Sequence, residues 1–247
     1  MASEARAQSA AGAKRRADGR SLDQLRPLVC EQRLINKADG SARVTAGGTS
    51  VLVAVHGPRP AGSVKRESPD EATISVTVKP ATGQAGPPEK HLQAVLASAL
   101  RGLVDTAAFP RCVLDVAVHV LGSDGSTLAL ALVAAGLAVV DAAVPVVGSF
   151  SASTVALRHD GEVVLDPTEE EEGAAAAVLT AGICSSASSA PAVLASSLVG
   201  VLPPAELPSL LQCAQSAATT AGEFYKLSMR QLVLRSHEGL DASTASA

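Results

Sequence analysis

The period of the apolar positions changes along the chain, and the changes mark the elements. Short runs at Leu28–Ile35, Ser41–Ala46 and Ser50–His56 are bounded by Asp-Gly, Gly-Gly and Gly-Pro pairs, which are turn signals. They predict three strands, with Asp39-Gly40 as a hairpin turn. Val51-Leu52-Val53-Ala54-Val55 is apolar throughout, the pattern of a strand buried on both faces. In Ala72–Lys79, Ile74, Val76 and Val78 alternate with Ser and Thr, which predicts a half-buried strand ending at Lys79. Leu92, Val95, Leu96, Ala99, Leu100 and Leu103 step by three and four, so an amphipathic helix is expected over Glu89–Asp105. A β-rich run covers Cys112–Leu121. Thr127–Ala143 is Ala, Leu and Val all round and predicts a buried helix, stopped by Pro145.

The second half is more irregular. Strands at Ser151–Leu157 and Glu162–Leu165 flank Asp160-Gly161, another hairpin signal. After Asp166 comes an acidic run, then strand-like pieces at Ala175–Ile183 and Ala192–Val201. A last helix starts near Pro203-Pro204 and keeps helical spacing through Leu210, Ala214, Ala221 and Tyr225 to about Arg235. Residues 1–17 and 236–247 read as disordered tails, leaving one domain over 18–235. The irregular alternation implies α/β or α+β with a mixed sheet.

Composition narrows the function classes. Of 247 residues, 47% are apolar and 18% charged, so a sizeable core is expected. Aromatics are 2%, which argues against base stacking on aromatic platforms. The net charge of −4 argues against a basic nucleic-acid binder, while leaving room for a local patch. The four Cys form no CxxC pair and the five His no HxxxH or HxH, so neither a zinc site nor a disulfide framework is expected. That usage fits a reducing, intracellular compartment. The first twenty residues lack the apolar core of a secretory signal, and Leu128–Val140 has only the length of a buried helix, so no membrane partner is expected.

Three features carry candidate chemistry. The loop 122–127 joins a strand to a helix, where free N–H groups and the helix dipole attract anions. Gly125, Ser126 and Thr127 are the phosphate-binding candidates. The competing reading is an ordinary turn with Ser126 as N-cap. Asp166 and Glu169–Glu172 place five carboxylates within seven residues. Paired carboxylates within this run could do general acid–base work or hold Mg²⁺, against the plainer reading of a solvated acidic loop. Lys65, Arg66, Lys79, Lys90 and Arg101 lie in or beside the loops at 58–70 and 80–90 and would attract phosphates if clustered on one face, against the plainer reading of separate surface charges.

Several short motifs occur in a fixed order: Asp18-Gly19-Arg20, Leu25-Arg26-Pro27, Asp39-Gly40-Ser41-Ala42, Gly48-Thr49-Ser50, Ala99-Leu100-Arg101, Ser123-Asp124-Gly125-Ser126, Val140-Asp141-Ala142 and Leu165-Asp166-Pro167-Thr168. In this order they resemble the RNase PH family over about residues 18–235, and within it the ring subunits of the eukaryotic RNA exosome. The resemblance implies an RNase PH-like fold of the ribosomal protein S5 domain 2-like kind. It implies a hetero-oligomeric ring of such subunits under cap proteins, with single-stranded RNA as partner, in the nucleus, nucleolus and cytoplasm, serving RNA decay and rRNA processing. Active members attack RNA from the 3′ end with inorganic phosphate and carry two acidic residues six apart, so the resemblance implies Asp166 and Glu172 as the catalytic and Mg²⁺-holding candidates. Replacing either should then abolish any hydrolytic activity at little loss of stability. The resemblance also implies Lys79 and Lys90 as the RNA-binding cations. Here the position of the phosphate-gripping Arg holds Leu128, and the arginines expected on the first long helix fall near Pro88, Ala94 and Ser98. A subunit without phosphorolytic activity of its own is therefore expected. The alternative is an active nuclease, phosphorolytic or metal-dependent, working as a homodimer through the retained pair Asp166 and Glu172.

Overall fold

The computed structural model describes residues 16–62, 67–186 and 190–244, with 235–244 as backbone. Strands β1 (Leu28–Gln32), β2 (Gly40–Ala46), β3 (Thr49–Pro60), β4 (Thr73–Lys79) and β5 (Cys112–Gly122) form one sheet in the order β1-β2-β3-β5-β4. Between β4 and β5 runs helix α1 (Pro87–Leu103), so those two strands pair in parallel, as a crossover connection requires. The other pairs are antiparallel, and the mixed sheet expected from the sequence is this one.

A second sheet, wholly antiparallel, contains β6 (Ser149–Leu157), β7 (Val163–Leu165), β8 (Ala177–Ser185) and β9 (Ala192–Gly200) in the order β7-β6-β8-β9. Helix α2 (Thr127–Asp141) lies between the sheets. Ala131, Val133, Ala134, Ala135, Ala138 and Val139 are all at most 1% exposed, because α2 meets β2 and β3 on one side and β6 and β8 on the other. That position explains a helix apolar all round. Gly40 sits against its end: a Cβ there would stand 2.3 Å from the Ala138 carbonyl oxygen. Strand β6 separates two environments. Phe150 packs on Gly136 of α2, while Ser153 Oγ on the opposite face donates to the Ala214 carbonyl of helix α4 (Leu207–Thr244). The layers are therefore sheet one, α1 with α2, sheet two, then α4.

Three local expectations change. Strand β3 continues past Gly57-Pro58 to Pro60, because a register shift between His56 and Arg59 absorbs the Pro, which lacks a donor. Helix α4 continues to Thr244, through residues read from the sequence as a tail. Apolar periodicity fades after Arg235, but a helix already nucleated by packing propagates through polar residues. The acidic run, read as a loop, contains a short helix α3 (Glu169–Gly173). Its signal was present in Thr168-x-x-Glu171: Thr168 Oγ1 accepts from the Glu171 N–H, and Glu171 Oε2 accepts from the Thr168 N–H at 3.0 Å, a capping box.

Candidate functional site

The loop before α2 and the turn after β7 meet. Gly125 and Ser126 both take left-handed backbone conformations, φ 77° and 53°, which curl the loop so that its carbonyls point back toward β3. Thr49 holds the curl from both sides: its hydroxyl accepts from the Asp124 N–H at 2.9 Å and donates to the Gly125 carbonyl at 2.8 Å. Ser126 stands at the N-cap position, but its side chain does not cap the helix; the hydroxyl donates to the Pro167 carbonyl at 3.2 Å.

Arg26 fills the centre. Its Nε and backbone N–H each donate to Asp166 Oδ2 at 2.9 Å, and its Nη2 donates to Oδ1 at 2.7 Å. The remaining guanidinium N–H groups reach the Asp124 and Gly125 carbonyls. Both side chains are buried. Burial pushes the Asp166 carboxyl up, but the hydrogen bonds and charge of Arg26 outweigh it and hold the group below its ordinary 3.8. Two further arginines close over the turn. Arg16 donates to the Leu165 and Asp166 carbonyls at 2.7 and 2.9 Å and forks onto Glu171. Arg20 reaches the Asp166 carbonyl at 3.3 Å and pairs with Asp18. The sequence showed Arg20 and Arg26 only as motif letters, and Arg16 fell inside the expected tail. Nothing short of the fold could assign them a partner about 140 residues away.

Glu172 occupies the anion corner itself. Its Oε1 accepts the Ser126 N–H at 2.6 Å, at the start of α2. Burial raises the Glu172 carboxyl above its ordinary 4.5, against the pull of that N–H and of Arg26. The structure thus brings Asp166 and Glu172 to the same loop but gives each an internal partner. For Mg²⁺ the donor set does not fit: a cation at Asp166 would have to displace a bidentate guanidinium. Among the described residues, no group of three or more His, Cys, Asp or Glu could hold a metal ion.

Beside Glu172 opens a cleft of about 490 Å³ lined by Ser126, Thr127, Leu128, His91 and Thr180 among others. Leu128 stands in its wall, an apolar side chain beside the Ser126 and Glu172 corner. His91 Nε2 lies 3.0 Å from Ser197 Oγ across the cleft. Neither residue, nor Thr180, stood out in the sequence, because they come from α1, β8 and β9. Lys79 and Lys90 are exposed but not in the cleft wall; Lys90 precedes His91. Lys65 and Arg66 lie outside the described residues.

Residues 24–145 match the 3′ exoribonuclease family, domain 1 (RNase_PH). The crystal structure of rice Rrp46 is similar over 85% of this chain and 98% of that one, with a TM-score of 0.77 and 33% identity. The chain belongs to the RNase PH family. A curated rice relative, "Exosome complex exonuclease RRP46 homolog", is 41% identical over 157 residues, 64% of this chain and 66% of the relative. The Arabidopsis thaliana protein of the same name is 38% identical over 157 residues, 64% of this chain and 65% of the relative. The aligned region thus spans just under two thirds of these curated relatives. An archaeal exosome core has the same fold, with a TM-score of 0.72 at 23% identity over 91% of this chain and 94% of that one. The two sheets and intervening helices described above are the RNase PH fold.

Proposed function

We propose that the chain is an RNase PH-type ring subunit of an RNA exosome, acting in 3′-to-5′ RNA processing and decay without phosphorolysis of its own. It acts through its place in the ring, beside other RNase PH-like subunits and cap proteins, and through contacts with single-stranded RNA; nucleus, nucleolus and cytoplasm are its expected sites. The observation that carries the inactive reading is the Glu172 carboxylate on the Ser126 N–H. Phosphorolysis needs inorganic phosphate at such a corner, and here an internal anion fills it. Leu128 removes the cation that would draw phosphate in. Each missing charge-assisted hydrogen bond weakens phosphate binding by about 1.5–3 kcal/mol. Asp166, with both oxygens engaged by Arg26, is not free to accept a proton from a reacting group.

The test is incubation of the isolated chain with single-stranded RNA and inorganic phosphate. No nucleoside diphosphate should appear, and Leu128→Arg alone should not restore release, because Glu172 still covers the N–H. Efficient phosphate-dependent release by the unaltered chain would falsify this reading.

RNA binding should be weak and electrostatic. Lys79→Glu is expected to lower affinity for oligoadenylate and oligouridylate equally, since phosphate contacts carry no sequence information. It should also flatten the dependence of log affinity on log salt by about 0.7 for each phosphate no longer neutralised. Fluorescence anisotropy across a salt series checks this; an unchanged slope moves the RNA surface elsewhere.

A further inference from the structure

A small cavity of about 30 Å³ lies behind the Arg26–Asp166 pair, where the first turns of α2, strand β6 and the middle of α4 meet. Much of its wall is apolar, but Ser126, Ser153, Thr154, Asp166 and Tyr225 also line it, and all five are buried. Four of them have partners of their own. Ser126 Oγ donates to the Pro167 carbonyl and Ser153 Oγ to the Ala214 carbonyl, and Thr154 Oγ1 shares a hydrogen bond with Thr180 Oγ1. Asp166 accepts three N–H groups of Arg26. Tyr225 is the exception. It is 4% exposed, yet its hydroxyl has no hydrogen-bond partner among the described residues; its ring only meets the Phe224 ring, edge to face, at 5.7 Å between centroids.

The hydroxyl end of Tyr225 faces this cavity. The ring also borders an apolar cleft toward Met229. Burial pushes the phenol above its ordinary 10, however, and Cys30 and Asp166 add to that push. Asp166 lines the small cavity and not the cleft. A buried hydroxyl without a partner is costly, and cavities with polar walls hold water where apolar ones stay dry. A volume of about 30 Å³ is what one water molecule takes in the liquid.

We propose that this cavity is a binding site for a single ordered water molecule that joins the Tyr225 hydroxyl of α4 to the Asp166 carboxylate of the turn after β7. The hydrogen bonds balance. Tyr225 donates its O–H to the water, and the water's two protons need two acceptors. A carboxylate offers about four lone-pair positions; Arg26 fills three on Asp166 and leaves one. Ser126 Oγ, itself a donor to Pro167, keeps lone pairs for the other. About three partners is usual for a buried water. Tyr225 is then a positioning residue. It ties the middle of α4 to the buried ion pair, which none of the hydrogen bonds of Arg26 does. The site belongs to the single chain, so it stands whether or not the chain enters a ring.

The chain has one Tyr and no Trp, so spectroscopy reads this phenol alone. In Raman spectra of the unaltered full chain, the tyrosine Fermi doublet should have the intensity ratio of a hydrogen-bonded phenol. The ratio of a free phenol overturns the proposal. In a high-resolution crystal structure, one peak of density is expected within about 3 Å of both Tyr225 Oη and an Asp166 carboxylate oxygen. An empty cavity overturns it, and so does a phenol bonded directly to a protein group. In Tyr225→Phe the peak should vanish or move, and the melting midpoint should fall by about 2–4 °C, the shift that one lost hydrogen bond produces in a chain of this size. An unchanged midpoint with the peak still in place removes Tyr225 from the link and overturns the proposal.

Discussion

Replacing Arg26 by Ala is expected to destabilise the protein by about 3–5 kcal/mol, enough to unfold a domain of ordinary stability at moderate temperature. The loss is not that of one ion pair. Asp166 would remain buried with only the more distant Arg20, its Nη1 3.7 Å from Oδ2, as a cation; the Asp124 carbonyl would lose its Arg26 donor, and the Gly125 carbonyl would keep only Thr49. Asp166→Asn leaves the buried Arg26 with only the exposed Asp124 carboxylate, 3.8 Å away, as its ion-pair partner and should be of similar size. This replaces the expectation that Asp166 could be changed at little loss of stability; that would hold for a carboxylate in a solvated acidic loop. Glu172→Gln is the contrast. Gln keeps an oxygen for the Ser126 N–H and removes a charge that burial disfavours, so stability at neutral pH should be unchanged or slightly raised. Urea unfolding of the three variants checks the order, and a Glu172→Gln loss as large as that of Arg26→Ala would contradict it.

The same groups set an acid limb. Asp166, and Glu171 held by Arg16, have folded pKa values below their unfolded ones. Their contribution is fully present above an unfolded pKa of about 4 and is lost as pH falls through the folded values. Glu172 works in the opposite sense: its raised pKa favours the folded state at low pH, and that contribution is lost as pH rises through the folded value. Stability of the unaltered chain should fall steeply below about pH 4, and the Asp166 share of that fall should disappear in Asp166→Asn.

The second large effect is expected at Gly125. Its φ of +77° lies in the left-handed region, which costs a residue with a Cβ about 1–2 kcal/mol. The added Cβ would also stand 2.4 Å from the Pro167 carbonyl oxygen and 2.6 Å from the Thr168 carbonyl carbon, both backbone atoms that cannot rotate away. Overpacking of this kind adds about 1–3 kcal/mol. Gly125→Ala should therefore destabilise by roughly 3 kcal/mol and force the loop off the turn that carries Asp166. Gly161→Ala is the comparison: φ is similarly positive at +82°, but no atom lies within 4 Å of the added Cβ. It should show only the conformational part. Equal melting shifts in the two variants would mean that the packing of loop against turn carries no weight.

Most strands and helices were legible one at a time, because apolar period is a local property of the chain. The six-position apolar stripe of α1, the alternation of β4 and the uniformly apolar α2 each appear where their patterns place them. The ordered motifs from Asp18 to Thr168 also carried the family, since each marks a backbone turn or a contact that the fold requires. The acidic run and the anion corner were legible from the residues, and the resemblance singled out Asp166 and Glu172 within the run. Spacing could not say that the two coincide. That Glu172 sits on the Ser126 N–H, and that Asp166 belongs to Arg26, follows from β7 and the loop before α2 being neighbours across the two sheets. Local sequence records which groups are charged; only tertiary structure decides which are buried together, and burial is what turns a candidate acid into half of an ion pair. The cleft residues His91, Thr180 and Ser197, and the small cavity beside Tyr225, come from elements far apart in the chain and carry no local pattern. They exist only once sheet two closes over α1 and α2, because a cavity is a property of facing surfaces and no single segment contains it.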